Sequence, residues 1–170
     1  EPAAMSLATV DSDGRPSVRT VLLKAFDTRG FVFYTNKRSR KGRQIEATRR
    51  AALCLFWQPL MQQVLIEGGV EDVTDAEADA YWMTRPRASQ IGAWASSQSD
   101  VLADREQLER RYADCEKRYA DVSVPRPPHW SGYRVVPELI EFWSSRPGRL
   151  HERECFSLEG EAWRHSLVYP

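Results

Sequence analysis

Near the end of the chain, three nitrogen-bearing side chains recur at alternate positions in the sequence Arg149-Leu-His-Glu-Arg153. If this stretch is an extended strand, Arg149, His151 and Arg153 lie on one face, because successive side chains of a strand point to opposite faces. Glu152 then lies on the other face and cannot neutralise them. Grouped cations repel one another unless an electron-rich group lies against them. The spacing therefore leaves two interpretations open, a ligand-binding site and a solvent-exposed edge strand.

A second group of cations lies at the start of a predicted helix that Ser39 caps. Arg40 and Lys41 are in its first turn, where the positive end of the helix dipole makes each cation unfavourable by about 0.3–1 kcal/mol. A bound phosphate reverses that sign, because it receives the free backbone N–H groups as well as both side chains. The alternative is a solvated basic helix start. Thr35 and Arg19 favour the phosphate if they are adjacent in the sheet.

A phenol, a guanidinium and a hydroxyl recur at intervals of four residues, as Tyr81, Arg85 and Ser89. Side chains four residues apart share one face of a helix, and Ser89 is expected near the start of the next helix. This set of donors suits a second phosphate. The alternative is that Arg85 forms an ordinary ion pair with Glu77 or Asp79.

The predicted elements that must position these residues are mostly strands joined by hairpin turns. Asp11-Ser-Asp-Gly14 and Asp27-Thr-Arg-Gly30 are turn sequences, so the first three strands are predicted to form a meander. Gly68-Gly69 indicates a bulge, and Thr74-Asp-Ala-Glu77 has the form of a capping box. Strands are predicted at residues 6–10, 17–24, 31–35, 51–57, 63–73, 132–136, 139–143, 149–156 and 163–168, and helices at 39–49, 74–83, 89–95 and 104–121. This order favours a small closed antiparallel barrel flanked by helices, in a single domain.

Composition excludes several classes of protein. Lysine plus arginine number 24 and aspartate plus glutamate number 24, so no net charge attracts nucleic acid or an anionic membrane. No apolar run approaches the ~20 residues that cross a bilayer. Cys54, Cys115 and Cys155 are widely spaced and form no metal-binding or redox pair, which indicates reduced thiols in a cytoplasmic protein without a metal.

Six blocks of sequence occur together and in order along nearly the whole chain. They are Arg19-Thr-Val-Leu-Leu-Lys24, Phe33-Tyr-Thr-Asn36, Ser39-Arg-Lys41, Arg85-Pro-Arg-Ala-Ser-Gln-Ile-Gly-Ala-Trp94, Gln98-Ser99, and Glu141-Phe-Trp143 with Arg149-Leu-His-Glu-Arg153. Together they closely resemble the pyridoxine (pyridoxamine) 5'-phosphate oxidase family.

That resemblance implies a mainly β, FMN-binding split barrel over residues 1–170 and a homodimer with FMN at the subunit interface. It implies oxidation of pyridoxamine or pyridoxine 5'-phosphate to pyridoxal 5'-phosphate, a step of vitamin B6 biosynthesis and salvage. Molecular oxygen is the electron acceptor, hydrogen peroxide is released, and the amine substrate also yields ammonia.

The resemblance also implies the site residues, by matched position. Arg149 and His151 stand over the pyridine ring, and we hypothesise that Arg149 orients the substrate while His151 assists proton removal. The substrate phosphate meets Lys24, Tyr81, Arg85 and Ser89. The cofactor is bound by Arg19, Thr20, Val21, Leu22, Lys24, Tyr34, Thr35, Arg40, Lys41, Gln63, Gln98, Ser99, Trp143 and Arg153.

The sequence also departs from the family's pattern. Leu167 stands where an arginine is usual, and the family's N-terminal segment is expected to be lacking here. Two rival functions remain, a flavin oxidase of the phenazine-biosynthesis type and a noncatalytic flavin or pyridoxal-phosphate binding protein. The group formed by Tyr81, Arg85 and Ser89 argues against the first, because a ligand without phosphate has no use for it.

Overall fold

The computed structural model describes every residue from Glu1 to Pro170, and the chain divides into two compact units. The first unit contains Glu1–Phe33, Gln44–Glu71 and Tyr133–Pro170, and the second contains Tyr34–Arg43 and Asp72–Gly132. The strands are β1 (Ala4–Val10), β2 (Pro16–Leu22), β3 (Ala25–Asp27), β4 (Gly30–Asn36), β5 (Arg50–Trp57), β6 (Gln62–Asp72), β7 (Trp130–Ser144), β8 (Glu152–Glu159) and β9 (Ala162–Leu167). The helices are α1 (Arg40–Thr48), α2 (Asp75–Thr84), α3 (Arg87–Ala95) and α4 (Arg105–Arg118).

The strands form one nine-stranded sheet in the order β2-β1-β5-β6-β7-β4-β3, with β8 added to β7 and β9 to β8. β1 pairs antiparallel with β2 and β5, and β5 pairs antiparallel with β6. The two ends of this order, β2 and β3, are separated in the chain by only Leu23 and Lys24. The sheet therefore curls until its two edges are close, which is how a sheet begins to close into a barrel.

The predicted strand at 17–24 is wrong in one respect, because the chain changes partners within it. Leu23 donates its N–H to Ala3 O at 2.8 Å, whereas Lys24 donates to Val32 O at 2.9 Å. The predicted three-strand meander is therefore two separate hairpins, β1 with β2 and β3 with β4. The two strands predicted at 132–136 and 139–143 form the continuous β7, which runs through Pro137.

The core of the first unit lies against this sheet. Alternate side chains of β1 and β5 are buried, as the two-residue period of a strand requires. Phe33 and Tyr133 pack with ring centroids 5.9 Å apart. The buried cluster consists of Met5, Leu7, Phe33, Ile45, Ala51, Leu53, Leu55, Ile66, Val70, Tyr133 and Val135.

Gly68 is needed for close packing, and the predicted bulge is not found in the pairing of β6 with β5. The register of β5 with β6 runs without interruption from Arg50 opposite Gly69 to Trp57 opposite Gln62, so no bulge breaks that pairing. A Cβ at Gly68 would lie 1.9 Å from Val136 O, which is a rigid backbone atom. Only glycine lets the two backbones approach this closely.

We expect Gly68→Ala to lower the free energy of unfolding by about 2–3 kcal/mol, because the new methyl group must push two strands apart. Gly92→Ala is the matched control, since a Cβ at this α3 position meets no atom within 4 Å. Removing a glycine from a helix interior should raise stability by about 0.5–1 kcal/mol. Urea unfolding of both variants measures the difference, and equal effects would contradict the close-packing role of Gly68.

The second unit contains α2, α3 and α4, and the predicted capping box is confirmed. Thr74 Oγ1 accepts the Glu77 N–H at 3.2 Å, while the Glu77 carboxylate accepts the Thr74 N–H at 2.9 Å. Asp104 caps α4 by accepting the N–H of Gln107 at 2.6 Å. The buried cluster of this unit consists of Trp82, Ile91, Tyr119, Val124 and Trp130.

The predicted class, mainly β with an antiparallel sheet and four helices, is confirmed. The assignment of residues 1–170 to one domain stays a prediction. None of the helices combines the length and the apolar character needed to cross a membrane. No three His, Cys, Asp or Glu side chains are grouped so that they could hold a metal ion.

Candidate functional site

Lys41 in the first turn of α1 is the centre of a cluster of polar groups in the second unit. Its Nζ donates to Gln98 Oε1 at 3.0 Å, to Thr35 Oγ1 at 3.3 Å and to Ser39 Oγ at 3.4 Å. Ser39 is buried, and its Oγ accepts the Gly42 N–H, which makes it the helix cap that its sequence predicts. We call Thr35, Ser39, Lys41 and Gln98 the α1 cluster. The cluster places an ammonium group beside a capped helix start, a combination that suits a phosphate.

Two other predicted cofactor residues adjoin this cluster in sequence. Arg40 is exposed and is the first residue of α1. Ser99, next to Gln98, has a φ of 77°, a left-handed conformation that is unfavourable for serine. It lies in a turn that the Asp100 N–H closes on Ser97 O at 3.0 Å. Strained backbone of this kind is often retained where a ligand is bound.

Arg19 lies on β2 in the first unit and also binds neutral acceptors. Its Nη1 donates to Thr9 Oγ1 at 2.5 Å and to Leu7 O at 3.2 Å, and its Nη2 donates to Gln44 Oε1 at 3.3 Å. Thr9 and Gln44 are both buried. This network of hydrogen bonds orients the Arg19 guanidinium, a group whose planar set of donors suits a phosphate.

The remaining predicted residues of this region are distributed along the sheet. The register places Thr20, Val21 and Leu22 of β2 opposite Ser6, Met5 and Ala4 of β1. Lys24 directly precedes β3 and is exposed, and the half-buried Gln63 lies on β6 opposite Phe56.

Three aromatic rings in the second unit lie nearly parallel, and Arg85 packs against them. The Tyr34 ring is 4.1 Å from Tyr81 and 5.4 Å from Trp130, with interplanar angles of 14° and 6°. The Arg85 Cζ lies 4.8 Å from the centre of the Trp130 ring, and Arg85 Nη2 donates to Ser89 O at 3.1 Å. Arg85 is therefore close to Ser89, but it contacts the backbone oxygen of Ser89 and not the predicted hydroxyl. Tyr34, predicted for the cofactor, stacks on a residue predicted for the substrate.

The alternative that Arg85 pairs with Glu77 or Asp79 is wrong. Glu77 is engaged in the capping box, and Asp79 accepts from Arg126 Nε at 2.5 Å. Burial lowers the pKa of the Arg85 guanidinium, and the nearby Tyr81 only partly opposes this shift. Arg85 is thus a desolvated cation without an acidic partner, a state that an incoming anion would relieve.

Arg149, His151 and Arg153 do not share one face of a strand, so that prediction is wrong. Residues 147–149 form a short 3-10 turn in which Gly148 and Arg149 have φ values of 69° and 62°. β8 begins only at Glu152. The turn projects Arg149 into solvent, where it makes no hydrogen bond or ion pair within the chain. The left-handed conformation of a non-glycine residue at a predicted catalytic position supports a functional role.

The orientation of His151 is fixed by two neighbours in the first unit. Its ring lies 4.8 Å from the Trp143 ring, and its Nδ1 accepts the Arg146 backbone N–H at 3.2 Å. A backbone N–H can only donate, so the neutral ring carries its proton on Nε2. His151 therefore offers a hydrogen-bond donor at Nε2. Its role in proton removal stays a prediction, and it requires this bond to Arg146 to break.

Arg153 has the carboxylate partner that the sequence did not reveal. Its Nε and Nη2 donate to Glu141 Oε1 and Oε2 at 2.9 and 2.7 Å, and its Nη1 donates to Tyr169 O at 2.9 Å. Glu141 is buried, and this bond raises the pKa of Arg153. Three of the five N–H groups of Arg153 are occupied, and two remain for a ligand.

Sequence reasoning missed three residues that support the site, namely Glu141, Trp130 and Arg126. Glu141 is within a recognised block, but its partner depends on the β7–β8 register, which places Arg153 opposite Trp143. Trp130 and Arg126 are outside every block, and only the stiff Pro125-Arg-Pro-Pro128 sequence marks their position. A pairing across strands or between distant helices leaves no local signal.

Comparison with protein families matches nearly the whole chain. Residues 1–119 match the model described as pyridoxamine 5'-phosphate oxidase. Residues 130–170 match the model described as the pyridoxine 5'-phosphate oxidase C-terminal dimerisation region.

Several curated relatives are similar in sequence over all or nearly all of this chain. A pyridoxine/pyridoxamine 5'-phosphate oxidase from Myxococcus xanthus is 61% identical over 170 residues, covering 100% of this chain and 82% of the relative. A protein of the same name from Alkalilimnicola ehrlichii is 57% identical, covering 98% of this chain and 86% of the relative.

Solved structures share the fold. PhzG from Burkholderia lata, in complex with tetrahydrophenazine-1-carboxylic acid, superposes with a TM-score of 0.95 at 37% identity, covering 99% of this chain and 83% of that one. An FMN-binding protein from Nostoc punctiforme, related to pyridoxamine 5'-phosphate oxidase, superposes with a TM-score of 0.79 at 20% identity, covering 99% and 89%. The second likeness concerns the fold alone, and the predicted split barrel of FMN-binding type is confirmed.

Proposed function

Because the chain belongs to the pyridoxamine 5'-phosphate oxidase family, we propose that it oxidises pyridoxamine and pyridoxine 5'-phosphate to pyridoxal 5'-phosphate. The protein is an FMN-dependent oxidoreductase of vitamin B6 metabolism. Curated relatives that are 55–61% identical over the whole chain are named pyridoxine/pyridoxamine 5'-phosphate oxidase.

The observation that carries the substrate assignment is the desolvated Arg85 guanidinium beside Tyr81 and Ser89. It faces aromatic rings and no carboxylate, so a phosphate ester is its natural partner. A substrate lacking phosphate would leave this half-buried cation without a counter-charge. Lys24 is proposed as a further ligand of the same phosphate.

The α1 cluster fits the phosphate of FMN. Lys41 holds three neutral oxygens at a helix start, and Ser39 and Gly42 complete the turn that presents its backbone N–H groups. Arg19 and Arg40 are proposed to add two guanidinium groups to this phosphate. Bound there, FMN would supply the acceptor for the two electrons that leave the substrate carbon, with O2 as the final acceptor and hydrogen peroxide as the product.

Arg149 and His151 are proposed to act on the substrate ring. Arg149 is held outward by its left-handed backbone, so its guanidinium can bind the ring substituents and fix their orientation. His151 presents Nε2–H while Arg146 holds Nδ1, and can donate to a substrate oxygen or nitrogen. Trp143 packs against the imidazole and limits its rotation.

We further propose a homodimer with FMN bound at the subunit interface. The match to a C-terminal dimerisation region supports it, as do apolar side chains exposed on β8, β9 and the residues beyond, among them Trp163 at 45% and Leu167 at 77%. We place the protein in the cytoplasm, because Cys54, Cys115 and Cys155 are free thiols.

The test is anaerobic reduction of the FMN-loaded protein. Pyridoxamine 5'-phosphate should bleach the flavin absorbance, and admitting O2 should restore the colour and release one peroxide per substrate oxidised. A noncatalytic binding protein would stay yellow throughout. The second candidate is a flavin oxidase of the phenazine type, because the PhzG structure has a similar fold at 37% identity, which is lower than the identity of the curated oxidases. In that case a reduced phenazine carboxylic acid would bleach the flavin and pyridoxamine 5'-phosphate would not.

A further inference from the structure

We propose that Trp130 is a positioning residue for the substrate phosphate, because its indole face holds the Arg85 guanidinium in place and leaves the Nη N–H groups of Arg85 open to an anion. This inference rests on the proposed function and assigns a role to a residue outside every recognised sequence block.

The Arg85 guanidinium makes cation–π contacts with two tryptophan rings. The Arg85 Cζ lies 4.8 Å from the centre of the Trp130 ring and 5.6 Å from that of Trp82, both within the ~6 Å range of a cation–π interaction. Both indoles are almost completely buried. The attraction is strongest for tryptophan and grows when the cation is desolvated, as Arg85 is.

Arg85 has few other contacts that could hold it. Its Nη2 donates to Ser89 O at 3.1 Å, while its Nε is buried without an acceptor. A buried cation usually has a carboxylate partner, but a carboxylate would also occupy its donors and cancel its charge. An indole face stabilises the charge from the side and leaves the N–H edge free. Trp130 thus orients Arg85 without competing with the substrate.

The Trp130 ring is itself held on two sides. Tyr81 lies 6.1 Å from it in a parallel orientation, and Trp82 packs edge-on at 4.9 Å with an angle of 67°. Tyr34, which stacks on both Tyr81 and Trp130, lies against Gly132, where an added Cβ would approach the tyrosine ring to 2.7 Å. We call the stacked rings of Tyr34, Tyr81 and Trp130 the ring platform, and this packing restricts its tilting.

The backbone of Trp130 is tied to α2 through Arg126. Arg126 Nη1 donates to Trp130 O at 3.0 Å. Arg126 Nη2 donates to Asp75 at 2.7 Å and Arg126 Nε donates to Asp79 at 2.5 Å, and both aspartates are on α2. The Arg126 side chain is only 16% exposed. Since α2 carries Tyr81 and ends next to Arg85, these bonds fix the platform relative to the guanidinium that it supports.

The experiment compares Trp130→Leu and Trp130→Phe in the FMN-loaded enzyme. With pyridoxamine 5'-phosphate we expect KM to rise about tenfold for Trp130→Leu and two- to threefold for Trp130→Phe, which keeps an aromatic face. The kcat and the FMN content should stay close to those of the unmodified enzyme. With pyridoxamine, which has no phosphate, kcat/KM should change little in either variant.

A double-mutant cycle with Arg85→Leu separates positioning from packing. If Trp130 acts through Arg85, Trp130→Phe should raise KM no further once Arg85 is Leu. Trp130 has no such role if the KM increase persists in the Arg85→Leu background, or if pyridoxamine loses as much efficiency as its phosphate ester. Trp130→Phe alone decides the question if Trp130→Leu does not fold.

The proposed function is judged separately, from the unmodified enzyme. If that enzyme binds pyridoxamine 5'-phosphate without oxidising it, the proposed function fails, and the Kd of the ester replaces KM in the same cycle. If the ester does not bind at all, Trp130 has no phosphate ligand to position and both conclusions fail.

Discussion

We expect Arg149→Leu to lower kcat/KM for pyridoxamine 5'-phosphate by about 10- to 100-fold, which corresponds to the loss of one charge-assisted hydrogen bond of ~1.5–3 kcal/mol. Arg149 makes no bond within the chain, so its substitution breaks no contact that holds the fold. Leucine also keeps a Cβ at the left-handed position, where φ is 62°, so the backbone cost of that turn is retained. Steady-state kinetics with saturating O2 measure the effect.

Two observations accompany this result. The bound FMN should be unchanged, because the residues proposed to hold its phosphate are elsewhere in the chain. Arg105→Leu is the matched control, since Arg105 is an exposed α4 residue paired with Glu109, and its loss should leave turnover unaltered. Loss of FMN from Arg149→Leu, or undiminished turnover, would contradict the role proposed for Arg149.

Lys41→Met should raise the Kd for FMN by about 10- to 100-fold, because a charge-assisted bond to the cofactor phosphate is lost. The methionine keeps most of the apolar stem, so the change mainly removes the ammonium group. Titration of apoprotein with FMN, followed by quenching of flavin fluorescence, gives the Kd of each protein.

Lys37→Met is the control for this measurement. Lys37 precedes the same helix, and its Nζ binds Asp72 at 2.6 Å. Its loss should leave the Kd for FMN within about twofold, since it removes a partly exposed ion pair of small energy. Equal weakening by both substitutions would mean that general positive charge, and not the α1 cluster, attracts the cofactor.

The parts of the site that sequence predicted well depend on neighbours in the chain. Ser39 caps α1 and Thr74 forms its capping box with Glu77, because both motifs are complete within four residues. The grouping of Tyr81 with Arg85 likewise follows from one helical turn. Local spacing decides such contacts, so they can be read before the fold is known.

The parts that were missed depend on the partner that a strand or turn finds. The alternate spacing of Arg149, His151 and Arg153 is typical of a strand, yet Pro147 and Gly148 turn the chain before β8 begins. The left-handed backbone of Gly148 and Arg149 prevents an extended strand there, whatever the alternation of the three side chains. The pairing of Glu141 with Arg153 depends on strand register, which no single segment encodes.

The end of β4 has a consequence for how the two ligands influence each other. Tyr34 stacks in the ring platform beneath Arg85, and the next residue, Thr35, binds Lys41 in the α1 cluster. Because the two residues are covalent neighbours on β4, a ligand that displaces the backbone at one of them also displaces it at the other. Thermodynamic linkage is reciprocal, so whatever factor the flavin applies to the affinity for the phosphate ester, the ester applies to the affinity for the flavin.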